Sequence, residues 1–121
     1  MTLRLLVVDD HRDVVDGLML LLEHAGFEVK PAYSGQQAIE AAQSFHPDVL
    51  ILDLGMPGVD GFQVAIQLRA TPEFANKVFV ALSGYAEQER LDEAAQARFD
   101  EYLVKPPSME TLLAILAEVS E

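Results

Sequence analysis

Short runs of consecutive apolar residues alternate along this chain with longer stretches in which apolar residues recur every third or fourth position. Leu3 to Val8, Val49 to Leu52 and Val78 to Leu82 are almost wholly apolar, as expected of strands buried on both faces of a sheet. Tyr102 to Val104 is a shorter strand, and Phe27 to Ala32 is more polar, with Pro31 marking it as an edge. Helical spacing places Val14, Val15, Leu18, Leu21, Leu22 and Ala25 on one stripe of a helix over roughly Arg12 to Ala25, which Gly26 ends. Ser34 with Gln37 reads as a capping box opening a second helix that buries Ala38, Ile39, Ala42 and Phe45, and His46-Pro47-Asp48 stops it. A short helix over Phe62 to Arg69 follows, punctuated by Thr71-Pro72. The segment of about Glu87 to Ala97 forms a helix with only Leu91 as a large apolar anchor. The last helix, from near Ser108, buries Met109, Leu112, Leu113, Leu116 and Val119. Strand and helix thus alternate five times, the pattern of a parallel sheet covered by helices.

Composition narrows the class. The 121 residues, 50% of them hydrophobic, fit one domain spanning 1–121. With no cysteine, a disulfide framework, a zinc-thiolate site and a thiol nucleophile are excluded. No apolar run approaches the ~20 residues of a membrane span, and Met1-Thr2-Leu3-Arg4 leads straight into a strand, so a soluble cytoplasmic protein without membrane insertion is expected. Twenty acidic against 8 basic residues give a formal charge of -12, which repels nucleic-acid phosphates; no basic patch offsets it, and nucleic-acid contact is not expected.

Four of the strands end on reactive polar residues: Asp9 and Asp10, Asp53, Ser83 and Lys105. In an open parallel α/β sheet ligands bind beyond the carboxyl ends of the strands, so these groups converge on one edge. Clustered carboxylates repel unless a cation joins them, and oxygen donors select a hard ion, so the pocket suits Mg²⁺ and phosphate. Asp53 ends a central strand before a glycine-rich loop, and its carboxylate, ionised at neutral pH, can attack phosphorus without a base. Asp10, with Asp9, holds the ion in this reading, and Lys105 supplies a point charge that pairs with Asp53 and then with a phosphoryl oxygen. Taken singly, these aspartates also read as turn or cap residues, Ser83 as a turn serine, Tyr102 as a strand aromatic and Lys105 as a surface lysine. His11, beside the acidic pair, reads as a solvated loop residue because Mg²⁺ prefers oxygen. Neither it nor His24 nor His46 receives a role.

In order and spacing, Asp9-Asp10, the segment Asp53-Leu54-Gly55-Met56-Pro57-Gly58-Val59-Asp60-Gly61, Ser83-Gly84 and Lys105-Pro106 resemble the receiver domain of two-component response regulators, over essentially the whole chain. The run Leu82-Ser83-Gly84-Tyr85 resembles receivers attached to hybrid histidine kinases. The resemblance implies a CheY-like, flavodoxin-like three-layer sandwich: a doubly wound five-stranded parallel sheet of order 2-1-3-4-5. It implies a phosphoacceptor that is not an enzyme in the ordinary sense, catalysing its own phosphorylation and dephosphorylation. Asp53 would receive a phosphoryl group from a histidine kinase or histidine phosphotransfer protein. Asp9, Asp10, Asp53 and the backbone carbonyl of Gly55 would hold Mg²⁺. Ser83 and Tyr102 would form a switch pair, with the Lys105-Pro106 bond cis. Output would reach a downstream protein through the helix of about Glu87 to Ala97, the strand bearing Tyr102 and the last helix. Tyr85 would flank the path of the attacking water. Arg98 stands where such domains usually carry glycine.

Two other classes stay open. A small phosphatase forming a transient aspartyl phosphate would carry a second aspartate two residues after the nucleophile, where this chain has Gly55. A binding module with the same fold could work without phosphate.

Overall fold

The computed structural model describes residues 2 to 84 and 97 to 120. Its strands are β1 (Arg4–Val8), β2 (Glu28–Ala32), β3 (Val49–Asp53), β4 (Val78–Ser83) and β5 (Glu101–Val104). The helices are α1 (Arg12–His24), α2 (Gly35–Phe45), α3 (Gly61–Arg69) and α4 (Met109–Ser120), with a 3₁₀ turn at Pro72–Phe74. The sheet runs β2-β1-β3-β4-β5 with every neighbouring pair parallel, as the resemblance implies. Tyr85 and the helix expected over about Glu87 to Ala97, apart from Ala97 itself, lie outside the described residues. No described helix is long and apolar enough to cross a membrane.

The period-2 alternation of strand side chains divides the apolar interior in two. Leu6, Val8, Leu50, Leu52, Phe79 and Ala81 pack under α2 and α3. Leu5, Val7, Val49, Ile51, Val80 and Leu82 pack under α1 and α4. Each such side chain contributes about 1.5–3 kcal/mol by leaving water, and this burial holds the charged strand ends together against their repulsion. Pro31 sits in β2 at the edge of the sheet, where its missing N–H costs no ladder bond.

The helix faces are narrower than expected. Val15, Leu18 and Leu22 of α1 are buried, but Val14 and Leu21 are 44% and 53% exposed, and Ala25 is exposed too. The sheet accepts one stripe at i, i+3 and i+7, and positions 14 and 21 lie on its flank. In α4, Leu112 and Leu116 are buried while Leu113 is at the surface, and Ile115 joins the core instead. Gly26 does follow α1 in the left-handed conformation, at φ 101°.

Two helix starts set the loops above the sheet. Ser34 Oγ accepts the Gln37 amide at 3.1 Å, but Gln37 Oε1 accepts the Tyr33 amide, one residue earlier than a capping box requires. A complete capping box forms instead at α3, where Asp60 and Gln63 each accept the other's backbone N–H at 3.0 Å.

Candidate functional site

Each strand end delivers its polar residue to the same edge of the sheet. Asp9 follows β1, held beside β2 by its amide donating to Ala32 O at 3.2 Å, and its side chain is buried. Asp53 closes β3 and is 2% exposed. A Cβ at position 61 would overlap the Asp53 carbonyl oxygen, so Gly61 lets α3 start directly against the backbone of the site. Ser83 ends β4, buried, in register with Val104. The next residue, Lys105, donates its amide to Ser83 O at 2.9 Å and precedes a cis bond to Pro106.

These side chains meet. Lys105 Nζ lies 3.0 Å from Asp53 Oδ1 and 3.1 Å from Asp9 Oδ2. Asp53 Oδ1 also accepts the Gly55 amide at 3.1 Å, so the loop residue touches the phosphoacceptor candidate through its backbone. Asp9 Oδ1 accepts the His11 amide at 3.0 Å. Asp9 Oδ2 pairs with the lysine outside hydrogen-bond geometry, and Asp10 Oδ1 is buried without a hydrogen bond. Neither Asp9 nor Asp10 caps α1, whose first flanking residue is His11, with no side-chain cap.

Asp10 Oδ1, which accepts no hydrogen bond, and the converging carboxylates, of which Asp9 Oδ2 is offset only by Lys105, fit a divalent cation. One donor atom each from Asp9, Asp10, His11 and Asp53 lies within 4.8 Å of all the others. His11 is the member that sequence reasoning set aside. Its side chain is 68% exposed, yet Nδ1 is 3.1 Å from Asp9 Oδ1 and 3.4 Å from Asp10 Oδ1. Its place directly after the acidic pair was the available signal.

The electrostatics separate the carboxylates. Burial pushes Asp53 up; the Gly55 amide and Lys105 pull it down, Asp9 repels it, and the net displacement is upward. Burial also pushes Asp9 up, but the His11 amide, Lys105 and the His11 ring outweigh it, leaving this carboxyl below its usual range. Partial burial lowers Lys105, yet its two carboxylate partners hold the ammonium above its ordinary value.

Tyr102 stands apart from this cluster. It pairs with Ala81 in the sheet, is 44% exposed, and its ring packs edge-on to Phe99 at 5.6 Å between centroids. Phe99 in turn meets Phe62 of α3 at 6.3 Å.

The model of the response regulator receiver domain family matches residues 5–117. Response regulator MprA of Mycobacterium ulcerans (strain Agy99) is 40% identical over 114 residues, covering 94% of this chain and 48% of that protein. The protein of the same name from Mycobacterium avium (strain 104) is 38% identical over 112 residues, covering 93% of this chain and 48% of the relative. This chain therefore spans about half the length of the curated relatives it matches. Among solved structures, chemotaxis response regulator CheY4 of Vibrio cholerae superposes with a TM-score of 0.88 at 30% identity, covering 98% of this chain and 99% of that one. A CheY-like receiver domain from Methylobacillus flagellatus gives 0.86 at 32% identity, with coverage of 98% and 99%.

Proposed function

The chain belongs to the response regulator receiver domain family, a signalling module of two-component systems, and from that premise we propose that Asp53 accepts a phosphoryl group from a histidine kinase or histidine phosphotransfer protein. The observation that carries this reading is the Lys105 ammonium held within 3.1 Å of both Asp53 and Asp9 at the carboxyl edge of the sheet. Asp53 Oδ1 is occupied by the Gly55 amide and by Lys105, which leaves Oδ2 to attack phosphorus. The new P–O bond forms as the P–N bond of phosphohistidine breaks, and the departing imidazole keeps the electron pair. The domain itself supplies the positioning that lets transfer, and later hydrolysis by water, proceed.

Lys105 remains beside the acceptor and meets a phosphoryl oxygen after transfer. Asp9, Asp10, Asp53 and the Gly55 carbonyl would hold Mg²⁺, which when bound neutralises charge on the transferring oxygens. The unbonded oxygens of Asp9 and Asp10 support that assignment. Exposed Val14 and Leu21 flank Lys105, Pro106, Pro107 and Met109 around a cavity of about 390 Å³, an apolar surface on which the phosphodonor would rest. Output would follow from Ser83 turning to the phosphoryl group and Tyr102 moving inward, with a downstream protein reading β5, α4 and the segment before them. The reading includes a cytoplasmic location, where kinases draw on ATP.

Incubation with Mg²⁺ and phosphorylated donor, followed by intact-mass measurement, should add one phosphoryl group that maps to Asp53. Labelling that persists in Asp53→Asn, or maps first to a serine or histidine, would overturn the assignment.

A further inference from the structure

We propose that His11 is a nitrogen ligand of the acidic pocket, so that this site takes an imidazole-binding transition ion, Ni²⁺ as the probe, in addition to Mg²⁺. The inference rests on reading that pocket as a divalent-ion site. Adjacent donors around an ion with bonds of about 2.1 Å stand about 3.0 Å apart. His11 Nδ1 stands 3.1 Å from Asp9 Oδ1 and 3.4 Å from Asp10 Oδ1, so it already occupies a neighbouring-donor position toward both. One donor atom of Asp53 completes the same compact group.

Three further observations favour ligation. Asp10 Oδ1 is buried without a hydrogen bond, and buried Asp9 Oδ2 meets only the Lys105 ammonium at 3.1 Å, outside hydrogen-bond geometry, so the pocket has carboxylate oxygens with coordination to spare. The His11 ring is 68% exposed, which leaves water free to fill the remaining coordination positions. Its side chain makes no helix cap, and the bond Nδ1 does make, 3.1 Å to Asp9 Oδ1, joins two atoms that an ion between them would hold in its place. Carboxylates alone suit Mg²⁺; one imidazole added to them shifts the set toward Ni²⁺ and its neighbours. Ni²⁺ outbinds Mg²⁺ at most oxygen sites as well, so the diagnostic quantity is the dependence of each affinity on His11.

Isothermal titration calorimetry of the whole chain near pH 8 tests this with Mg²⁺ and Ni²⁺ separately. His11→Ala should weaken Ni²⁺ by about tenfold or more while Mg²⁺ stays within about twofold. His11→Asn keeps a donor that can bond Asp9 but is a poor nickel ligand, and should match the alanine variant. With one equivalent of Cu²⁺, electron paramagnetic resonance should show nitrogen splitting in the wild type that is reduced in both variants. If the asparagine variant keeps wild-type Ni²⁺ affinity, His11 only positions Asp9 and the proposal fails. Equal affinities for both ions in wild type and His11→Ala overturn it while leaving the Mg²⁺ site intact. Absence of any Mg²⁺ or Ni²⁺ binding to the wild type overturns the metal-site reading itself.

Discussion

Lys105 and Asp53 leave strands that are not neighbours, yet Lys105 Nζ stands 3.0 Å from Asp53 Oδ1. β4 lies between them, a separation of about 9.6 Å at the ordinary inter-strand spacing, which the lysine side chain, the 3.0 Å contact and the aspartate side chain span together. One cation thereby serves two carboxylates delivered by β1 and β3, and the site depends on it before any ligand arrives.

Replacing Lys105 with Met removes that cation and leaves Asp9 and Asp53 buried without it. Breaking a fully buried pair costs about 3–5 kcal/mol; because Lys105 is 25% exposed, about 2 kcal/mol is expected here. Urea denaturation in chelator should show this loss. Mg²⁺ should restore more stability to the variant than it adds to the wild type, because it substitutes for the lost charge. Equal Mg²⁺ gains in both proteins would refute the idea that lysine and ion share one electrostatic role.

Asp53 makes the opposite contribution. Its folded-state pKa is raised, so the fold favours the protonated form; the stability this group contributes is full below its unfolded pKa and is lost as pH rises through the folded value. Asp53→Asn, which cannot ionise, should therefore be more stable than the wild type at pH 7 without divalent ion, by about 1 kcal/mol. The gap should close on acidification through the carboxylate range. Asp9, with its pKa lowered, contributes stability present above its unfolded value and lost as pH falls through the folded one, at a lower pH in Asp53→Asn, where the repelling charge is gone. Thermal melts across pH, with a gap that widens in acid, would contradict the assignment.

Most of the site was legible because its residues end the buried strands: a continuous apolar run stops where a charge must face the sheet edge, and that stop is visible in the sequence. Spacing on a helix is less informative. Val14 and Leu21 obey helical periodicity yet stay at the surface beside Lys105, because periodicity gives a direction and not the width of the face that the sheet accepts. His11, read as a solvated loop residue, is 68% exposed, yet its ring also bonds Asp9, a contact on which the preference of Mg²⁺ for oxygen is silent. Gln37 bonding Tyr33 instead of Ser34 is a one-residue difference in loop path that no spacing rule resolves.

Arg98, where the family usually has glycine, adopts φ 53° and keeps that conformation through its carbonyl, which accepts Arg69 Nη2 at 2.7 Å. Arg69 is buried and also bonds Asp100 at 2.8 Å, so the carbonyl position is fixed from outside the residue. A left-handed L residue costs about 1–2 kcal/mol, part of which glycine returns as chain entropy, so Arg98→Gly should stabilise the fold by about 0.5–1 kcal/mol. Chemical denaturation measures this directly. A loss of stability would mean that the exposed Arg98 side chain makes a contribution the backbone argument ignores.

Tyr102 tests whether phosphate reaches the surface. Its ring packs on Phe99 and is 44% exposed, while its backbone faces Ala81, two residues before Ser83. If Ser83 turns toward the phosphoryl group, the space beside Ala81 opens, and an inward ring is the cheapest way to fill it. Burial already raises the Tyr102 hydroxyl pKa, so inward movement should raise it further. The protein has three tyrosines, so fluorotyrosine NMR assigned with Tyr102→Phe can follow this ring alone. Saturation with Mg²⁺ and beryllofluoride should shift the Tyr102 signal and move its titration upward. Tyr33 should stay unchanged, since Asp16 holds its hydroxyl at 2.8 Å and Arg12 covers its ring at 4.1 Å. A stationary Tyr102 signal with Asp53 fully occupied would show that output leaves the domain by another route.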